Sequence, residues 1–325
     1  MREIGLVGAP FSGTTTLFTA LTRAGSHGGQ ANLAVVPVPD PRLEVLARIE
    51  RSEKIVPAQV RFVDVPGGLA SAQGVARLRE ADALAIVLRC FGPDADPARD
   101  LGTVTGELVL NDLAVVGSAL ERAEKRARGK ETEEVAALRR ANELLSGEGR
   151  LRDAGLSVEE QAHLRALAPL TLKPWVTIAN LEEGEPISPG LPDGTVGVYA
   201  AIEAETAEMD PAEARALLEE FGVYEPGLET VIAACYRALD LITFLTTGED
   251  ETRAWEVRRG ATAPEAAGTI HTDLQRGFIR AEVIAYEDLV QAGSMDEAKR
   301  LGRVRVEGKD YLVREGDVLH VRFAV

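Results

Sequence analysis

A glycine-framed loop near the start of the chain limits the possible folds most strongly. Residues 8–15 read Gly-Ala-Pro-Phe-Ser-Gly-Thr-Thr and follow a short apolar run at 3–8. The apolar residues that come next fall on one face of a helix: Leu17, Phe18, Leu21 and Ala24. Apart from one position, this strand–loop–helix order is the frame of a phosphate-binding loop, Gly-x-x-x-x-Gly-Lys-Ser/Thr. Backbone N–H groups and the positive end of the helix would cradle phosphate oxygens there.

The exception is the lysine, because Thr14 stands in its place. Losing a charge-assisted hydrogen bond costs about 1.5–3 kcal/mol, which weakens phosphate binding roughly tenfold to a few hundredfold. Thr15 stands where a hydroxyl would hold Mg²⁺. Asp64, in Asp-Val-Pro-Gly after an apolar run, would hold the same ion through water. We expect weakened nucleotide binding and a larger loss of phosphoryl transfer; the alternative is a tight turn without a ligand.

Short apolar runs alternate with helical patterns over most of the chain. After the run at 3–8, each further run is bounded by Gly, Pro, Asn or Asp: 60–63, 83–88, 175–179 and 195–200. Strands that alternate with helices indicate a parallel sheet with helices on both faces. We therefore predict an α/β domain made of residues 1–111 and 169–240.

The stretch 112–168 interrupts this alternation. It is charge-dense and leucine-spaced, which predicts an inserted helical hairpin. Its first arm carries a basic cluster: Arg122, Lys125, Arg126, Arg128 and Lys130. Two interpretations stay open, a solvated face with acidic partners and a surface that binds RNA or a protein.

From residue 241 the pattern changes to short β-rich runs. The run at 279–285 alternates apolar with polar or small residues. Further short runs follow at 304–306, 311–313 and 318–321. With one helix at about 295–301, residues 241–325 are predicted to form a small mixed-sheet domain.

Composition excludes several classes of protein. A net charge of −16 and a pI near 4.9 argue against a surface that binds nucleic acid or membranes as a whole. Two isolated cysteines, Cys90 and Cys235, exclude a disulfide scaffold and a cysteine zinc site, and they fit a reducing compartment. Since there is no run of 18 apolar residues and no signal-peptide pattern, we expect a soluble, cytoplasmic protein without a membrane partner.

Motifs along the whole chain resemble the YchF/Obg-like ATPase family. In the first two thirds they lie at 36–43, 54–58, 88–91 and 202–205. The most specific motifs are C-terminal and lie at 252–255, 260–264, 267–273, 277–286 and 316–318. The resemblance implies a Ras-like P-loop NTPase domain with an inserted coiled-coil arm and a C-terminal TGS domain, a β-grasp module. It also implies ribosome association and a preference for ATP over GTP.

The resemblance extends to the residues that read the base. In that family the usual Asn-Lys-x-Asp becomes Asn-x-x-Glu, which Asn180 and Glu183 match, and the Ser-Ala of the base loop is Ala200-Ala201 here. Relaxed or adenine-favouring recognition is therefore expected. The expected nucleotide-binding residues are Gly8, Ala9, Pro10, Phe11, Ser12, Gly13, Thr14, Thr15, Thr16, Asn180, Glu183, Ala200 and Ala201. Thr15 and Asp64 are expected to hold Mg²⁺ when nucleotide binds.

Several features of the family that serve hydrolysis are altered together. Besides the loop lysine, the first switch is shortened to about 25–33 and lacks a threonine, and the second is reduced to 68–74. The segment that carries a histidine implicated in hydrolysis is cut to 92–96. This combination predicts weakened or lost hydrolysis, and no catalytic residue is assigned.

Three hypotheses remain open. The first is a YchF-like protein that binds ATP or GTP weakly and contacts the ribosome through the basic cluster. The second is an active ATPase or GTPase in which Arg2, Arg23, a partner's residue or a monovalent cation supplies the missing charge. The third is a scaffold whose TGS domain binds a ligand or partner.

Overall fold

The computed structural model of the protein describes residues 2–25, 33–65 and 67–324. In chain order the strands are β1 (Arg2–Gly8), β2 (Leu33–Pro37), β3 (Lys54–Val56), β4 (Gln59–Asp64), β5 (Ala83–Cys90), β6 (Trp175–Leu181), β7 (Val196–Val198), β8 (Leu241–Thr246), β9 (Glu251–Arg258), β10 (Phe278–Ala285), β11 (Arg305–Glu307) and β12 (Asp317–Phe323).

The helices, numbered in the same way, are α1 (Thr14–Gly25), α2 (Arg42–Glu50), α3 (Ala72–Glu80), α4 (Pro97–Ala127), α5 (Glu133–Ser146), α6 (Val158–Leu164), α7 (Ala200–Thr206), α8 (Pro211–Glu220), α9 (Leu228–Ala238), α10 (Ala263–Ile270), α11 (Thr272–Arg276), α12 (Tyr286–Ala292) and α13 (Met295–Arg300).

The chain divides into two compact units, and the first consists of Met1–Val36 and Val60–Leu239. Its sheet has the strand order β2-β4-β1-β5-β6-β7, and the pairs from β4 through β7 are parallel. The central strands are buried on both faces, as expected for a parallel sheet covered by helices. The predicted α/β class is thus confirmed.

Helix α4 is longer than the predicted arm. It begins at Pro97, where the side chain of Asp96 accepts a hydrogen bond from the Arg99 N–H, and it passes position 112 without a break. Its first half packs on the sheet through Val104 and Leu108. Its second half packs on α5 and the turns that follow, in a separate core that includes Val116, Ala123, Leu138, Leu145 and Leu164. Helix α4 therefore has two parts: its first half covers the sheet, and its second half forms one arm of the helical hairpin.

Only α4, among the described residues, is long and apolar enough to span a membrane. It has this property by length and composition alone, which the core helix of a folded domain can share. Apolar residues of α4 pack in the two cores described above, so we interpret α4 as a helix of the folded first unit.

The second unit consists of Pro37–Gln59 and Asp240–Val325. Its mixed sheet has the order β11-β10-β12-β8-β9-β3. Helix α10 packs on this sheet, and the core between them includes Phe244, Ala263, Ala267, Val283 and Leu319. This is the mixed sheet with a packed helix that a β-grasp module requires.

Residues 37–59 lie in the second unit, although the sequence assigned them to the α/β domain. Strand β3 pairs in parallel with β9, and α2 contacts β9 and α12. The Arg42 guanidinium donates to both oxygens of Asp40 and lies 2.7 Å from the Glu315 carboxylate. The motif at 36–43 therefore attaches this excursion of the chain to the second unit.

Three details of the predicted secondary structure were wrong. Residues 241–325 contain α10, α11 and α12 besides the predicted helix near 295; a capping box of Thr262 and Glu265 begins α10. Residues 311–313 form only an isolated bridge, between Thr262 and Leu312. The run at 195–200 ends as a strand at Val198 because α7 begins at Ala200.

Candidate nucleotide-binding site

Close contacts explain the two glycines that frame the loop. A Cβ on Gly8 would lie 2.2 Å from Ser12 Oγ and 2.6 Å from the Val87 carbonyl oxygen. Gly13 has a φ of +88°, and a Cβ there would lie 2.1 Å from Asn180 Nδ2. Neither position accepts a side chain without movement of its neighbours, so the loop keeps its backbone close to β5 and β6.

Between these glycines the chain makes a closed turn and enters α1. The Ser12 N–H donates to the Ala9 carbonyl at 3.1 Å, and the Leu17 N–H donates to the Gly13 carbonyl at 2.9 Å. Helix α1 has no acidic residue in its first turn, so its free N–H groups and positive end are not neutralised by the helix itself. Phe11, in the middle of the loop, has a φ of +69°, and its ring is exposed.

Asn180 joins the loop to the region that the motif assigns to the base. Its Nδ2 donates to the Ser12 carbonyl at 3.1 Å, and its Oδ1 accepts from the Ala200 N–H at 3.3 Å. The side chain is buried, and both ends of its amide are engaged. Asn180 thus fixes the spacing of two loops, which leaves Glu183 and Ala201 as the candidates for contact with a base.

Thr15 and Asp64 lie side by side, as the motif predicts. The Thr15 hydroxyl donates to Asp64 Oδ2 at 3.2 Å, although the two residues are 49 positions apart in the chain. Partial burial raises the pKa of Asp64 above its ordinary value, even though the Thr15 hydroxyl and the Val65 N–H lower it. A hydroxyl and a carboxylate are hard oxygen ligands, so the pair fits Mg²⁺ held together with phosphate oxygens. Among the described residues there is no cluster of three His, Cys, Asp or Glu side chains that would bind a metal alone.

The base loop is held by a residue that the motif analysis did not select. Glu203 is buried, and its carboxylate accepts hydrogen bonds from the N–H groups of Tyr199, Gly227 and Leu228 at 2.8–3.0 Å. Burial outweighs these donors and raises the pKa of Glu203. Glu203 lies in the family motif at 202–205, but the sequence alone did not indicate what its carboxylate does.

The structure answers one question about the missing lysine. Thr14 offers no charge, and Arg2 lies at the amino end of β1, where it pairs with Asp82 at 3.0 Å. Since the loop follows the carboxyl end of that strand, roughly 20 Å away at 3.3 Å per residue, Arg2 does not reach it. The side chain of Arg23 lies outside the described part of the chain.

The structure describes the three shortened segments, the two switches and the loop at 92–96, to different extents. Most of the shortened first switch, at 26–32, lies outside the described residues. In the second, Gly67 and Gly68 have positive φ, and Ser71 caps α3 by accepting from the Gly74 N–H. The loop at 92–96 is short and tied down, since the Gly92 N–H donates to the Glu182 carboxylate at 3.0 Å.

The five residues of the basic cluster are all exposed near the tip of the hairpin. Arg126 pairs with Glu134 at 2.8 Å. The other four, Arg122, Lys125, Arg128 and Lys130, have no ion-pair partner among the described residues. The interpretation as a neutralised helix face thus fits one of the five.

Comparison with known proteins relates the whole chain to one family. The chain is 43% identical to "Ribosome-binding ATPase YchF" of Haemophilus influenzae over 360 aligned positions, and 37% identical to the protein of that name from Bacillus subtilis; each alignment covers 99% of both chains. At least 35 of the 360 positions hold no residue of this 325-residue chain, which accords with shortened segments.

A solved structure and a family model agree with this result. The Schizosaccharomyces pombe YchF GTPase matches with a TM-score of 0.89 at 28% identity, covering 99% of this chain and 97% of that one. Residues 241–324 match the family YchF-GTPase_C, described as "Protein of unknown function (DUF933)". With such identity over nearly its entire length, the chain belongs to the YchF family.

Proposed function

We propose that this chain binds a nucleoside triphosphate with Mg²⁺ at the loop of residues 8–15, more weakly than a loop with lysine, and with reduced or lost hydrolysis. The observation that carries the proposal is the two hydrogen bonds of the Asn180 amide, one donated to the Ser12 carbonyl and one accepted from the Ala200 N–H, which hold the loop and the base region at a fixed spacing. Relatives named ribosome-binding ATPases support the same class of ligand.

The chain's own groups account for binding without the lysine. The backbone N–H groups around Gly13 and the start of α1 bind phosphate oxygens, while the Thr15 hydroxyl and the Asp64 carboxylate hold the ion. Bound Mg²⁺ would neutralise charge on the β- and γ-phosphates. Hydrolysis suffers more than binding because it depends on charge that develops only in the transition state.

The base region favours relaxed or adenine-preferring recognition. In the usual motif an aspartate at this position accepts hydrogen bonds from guanine. Glu183 has a longer side chain, so its carboxylate is displaced from the position that the aspartate carboxylate would take. Ala201 offers only backbone groups to the base, and the Ala200 N–H is already bonded to Asn180. Comparable affinity for ATP and GTP, or tighter binding of ATP, is the expected result.

Mutations at the ion site test this proposal. Binding of a fluorescent ATP analogue is measured with Mg²⁺ and with EDTA, together with phosphate release from ATP and GTP. We expect Mg²⁺-dependent binding that Thr15→Ala and Asp64→Asn weaken at least tenfold. The control is Thr103→Ala, which removes a hydroxyl bonded to a helix carbonyl far along the chain. If none of the three substitutions changes the affinity for the ATP analogue, the proposed binding site is wrong. If the native chain hydrolyses ATP or GTP as fast as a protein with an intact loop, the proposed loss of hydrolysis is wrong.

We also propose that the chain contacts the ribosome through the basic cluster of the hairpin. Four unpaired cations stand out in a chain with a net charge of −16, and they can pair with RNA phosphates or with acidic protein. Only a local surface is implied, since the chain as a whole repels polyanions.

Charge reversal tests this contact. A variant with Arg122, Lys125, Arg128 and Lys130 all changed to Glu should no longer co-sediment with ribosomes at low salt. Arg215→Glu is the matched control, because Arg215 is an exposed helix residue paired with Glu219 on α8. Equal co-sedimentation of the two variants would contradict the assignment.

A further inference from the structure

Arg89 is a cation near the candidate site whose hydrogen-bonding capacity is mostly unused. It lies at the carboxyl end of β5, and its Nη2 donates to the Asp94 carbonyl oxygen at 2.6 Å. A guanidinium has five N–H donors, and among the described residues no carboxylate forms an ion pair with this one. This contrasts with the arginines of α3, Arg77 and Arg79, which are both paired with carboxylates.

The packing of β5 shows which way the Arg89 side chain leaves the strand. Leu84, Ile86 and Leu88 pack in the core with residues of α3 and α4. Side chains alternate between the two faces of a strand, so Arg89 leaves the opposite face. That face carries the loop of residues 8–15, because Asn180, the register partner of Arg89 on β6, contacts the Ser12 carbonyl.

Strand register brings Arg89 within reach of the loop. Gly8 is paired with Val87, two residues before Arg89, and Asn180 lies directly beside Arg89. Neighbouring strands are about 4.8 Å apart, and an extended arginine side chain spans more than that distance. The next residue on the same side, Phe91, lies 3.8 Å from where a Cβ on Gly13 would be.

We propose that Arg89 supplies the positive charge that Thr14 does not, by binding the β- and γ-phosphate oxygens of the nucleotide. The inference rests on the proposed nucleotide site and adds a binding residue to it. Arginine suits this role because its planar fork binds phosphate oxygens in pairs. One N–H held by Asp94 keeps the guanidinium at the carboxyl edge of the sheet, and the remaining donors are available to the ligand.

A purely structural role predicts a different result. If Arg89 only fastened the short loop that contains Asp94, its loss would change folding stability or weaken all ligands alike. If it binds the terminal phosphates, its loss weakens ATP and leaves AMP unaffected, because AMP has no β- or γ-phosphate. A lysine placed in the loop would then compensate for the lost arginine.

The test uses the full chain in four forms: native, Arg89→Gln, Thr14→Lys, and the double variant. Calorimetry with Mg²⁺ and ATP is compared with AMP at millimolar concentration, and urea unfolding monitors the fold. Arg89→Gln should weaken ATP binding at least tenfold and change AMP binding less than twofold, and the double variant should recover ATP binding. Arg99→Gln, on α4, serves as the control.

Three results would overturn the inference. ATP binding unchanged by Arg89→Gln would exclude a phosphate contact. Equal weakening of ATP and AMP, or no recovery in the double variant, would assign Arg89 a structural role. If neither the native chain nor Thr14→Lys binds ATP, the proposed function itself fails. If the native chain binds ATP and Arg89→Gln binds it with the same affinity, the inference about Arg89 fails and the proposed function stands.

Discussion

At the scale of single residues, Ser12 carries an energetic cost inside the loop. The residue is buried, and among the described groups its hydroxyl has no hydrogen-bond partner. A buried polar group without a partner costs about 1–3 kcal/mol, so Ser12→Ala should raise the free energy of unfolding by about 1 kcal/mol once the smaller side chain is allowed for. Urea unfolding measures this change.

Ser71 gives the matched comparison for Ser12. Its hydroxyl accepts from the Gly74 N–H at 3.0 Å and caps α3. Ser71→Ala should therefore lower the free energy of unfolding by about 0.5–2 kcal/mol. If Ser12→Ala destabilised the protein as much as Ser71→Ala, the Ser12 hydroxyl would have to be satisfied in solution.

The two cysteines should react slowly in the folded protein. Burial, with a contribution from Asp100, raises the pKa of Cys90 to about 11, and burial alone raises that of Cys235 to about 12. Since the thiolate is the reactive form, Cys90 should be alkylated at pH 8 roughly 200-fold more slowly than a free cysteine with a pKa of about 8.5. Its rate should keep rising up to pH 10.

Peptide-level mass spectrometry after timed iodoacetamide treatment distinguishes the two thiols. Cys235 should be modified only after unfolding in urea, where both should react at the same rate. Fast labelling of Cys90 at pH 7 would show that its thiolate is stabilised by a positive group, contrary to this account.

The positions of residues were predictable where a motif fixes them. The frame of the loop and the Asp-x-x-Gly motif together predicted that Thr15 and Asp64 lie close to each other. They did not predict the role of Glu203, because two of the three backbone N–H groups that this carboxylate binds come from a turn more than twenty residues later. Such contacts depend on tertiary structure, which no local pattern records.

At the scale of elements, Asp112 fastens the base of the helical hairpin. Its fully buried carboxylate accepts from the Arg79 guanidinium at 2.8 Å, from the N–H groups of Leu170 and Thr171, and from the Thr171 hydroxyl. These bonds join α3, the middle of α4 and the segment that returns from the hairpin. They lie next to both ends of the predicted insert, 112–168.

Removing this carboxylate should be costly. Asp112→Ala removes the carboxylate partner of a largely buried arginine, which keeps only its bonds to backbone carbonyls, and it leaves two buried N–H groups without their acceptor. This change is expected to lower the free energy of unfolding by about 3–5 kcal/mol. Asp153→Asn removes the charge of an exposed carboxylate that pairs with the partly buried Arg150, and it should change the free energy of unfolding by less than about 1 kcal/mol. Equal effects of the two changes in urea unfolding would refute the assigned role of Asp112.

Elements were predictable where hydrophobic runs are long and buried. Strands β1, β4, β5, β6 and β7 were predicted within a few residues of their ends, and the central ones are apolar on both faces. Strand β2 was not predicted, because only alternate residues of this short run are buried. The short helices at 263–276 were missed because their apolar positions are mostly alanines, which give little hydrophobic contrast. The capping box of Thr262 and Glu265 was a usable signal for α10.

At the scale of the whole molecule, the second unit is assembled from two separate parts of the chain. Leu43 and Leu46 of α2 are buried, and burial of each is worth about 1.5–3 kcal/mol. Since α2 contacts β9 and α12, and β3 extends the sheet, the segment 37–59 completes this unit. The sequence could not predict this, because nothing local marks an excursion that returns after 23 residues.

A fragment experiment tests that assembly. Residues 241–325 alone should unfold at a clearly lower urea concentration than the same fragment joined to 37–59 by a flexible linker, or not unfold cooperatively at all. A joined fragment with Arg42→Ala, which loses the ion pairs with Asp40 and Glu315, should fall between them. Identical unfolding of all three would contradict the dependence on 37–59.

We propose above that the loop of residues 8–15 is a nucleotide site although Thr14 stands where the motif has lysine. Calorimetric titration of the native chain and of Thr14→Lys with ATP and Mg²⁺ tests it most directly. We expect measurable binding by the native chain and binding roughly tenfold to a few hundredfold tighter by the variant. Absence of binding by both proteins would contradict it, because the backbone cradle would then not accept nucleotide even with the charge restored.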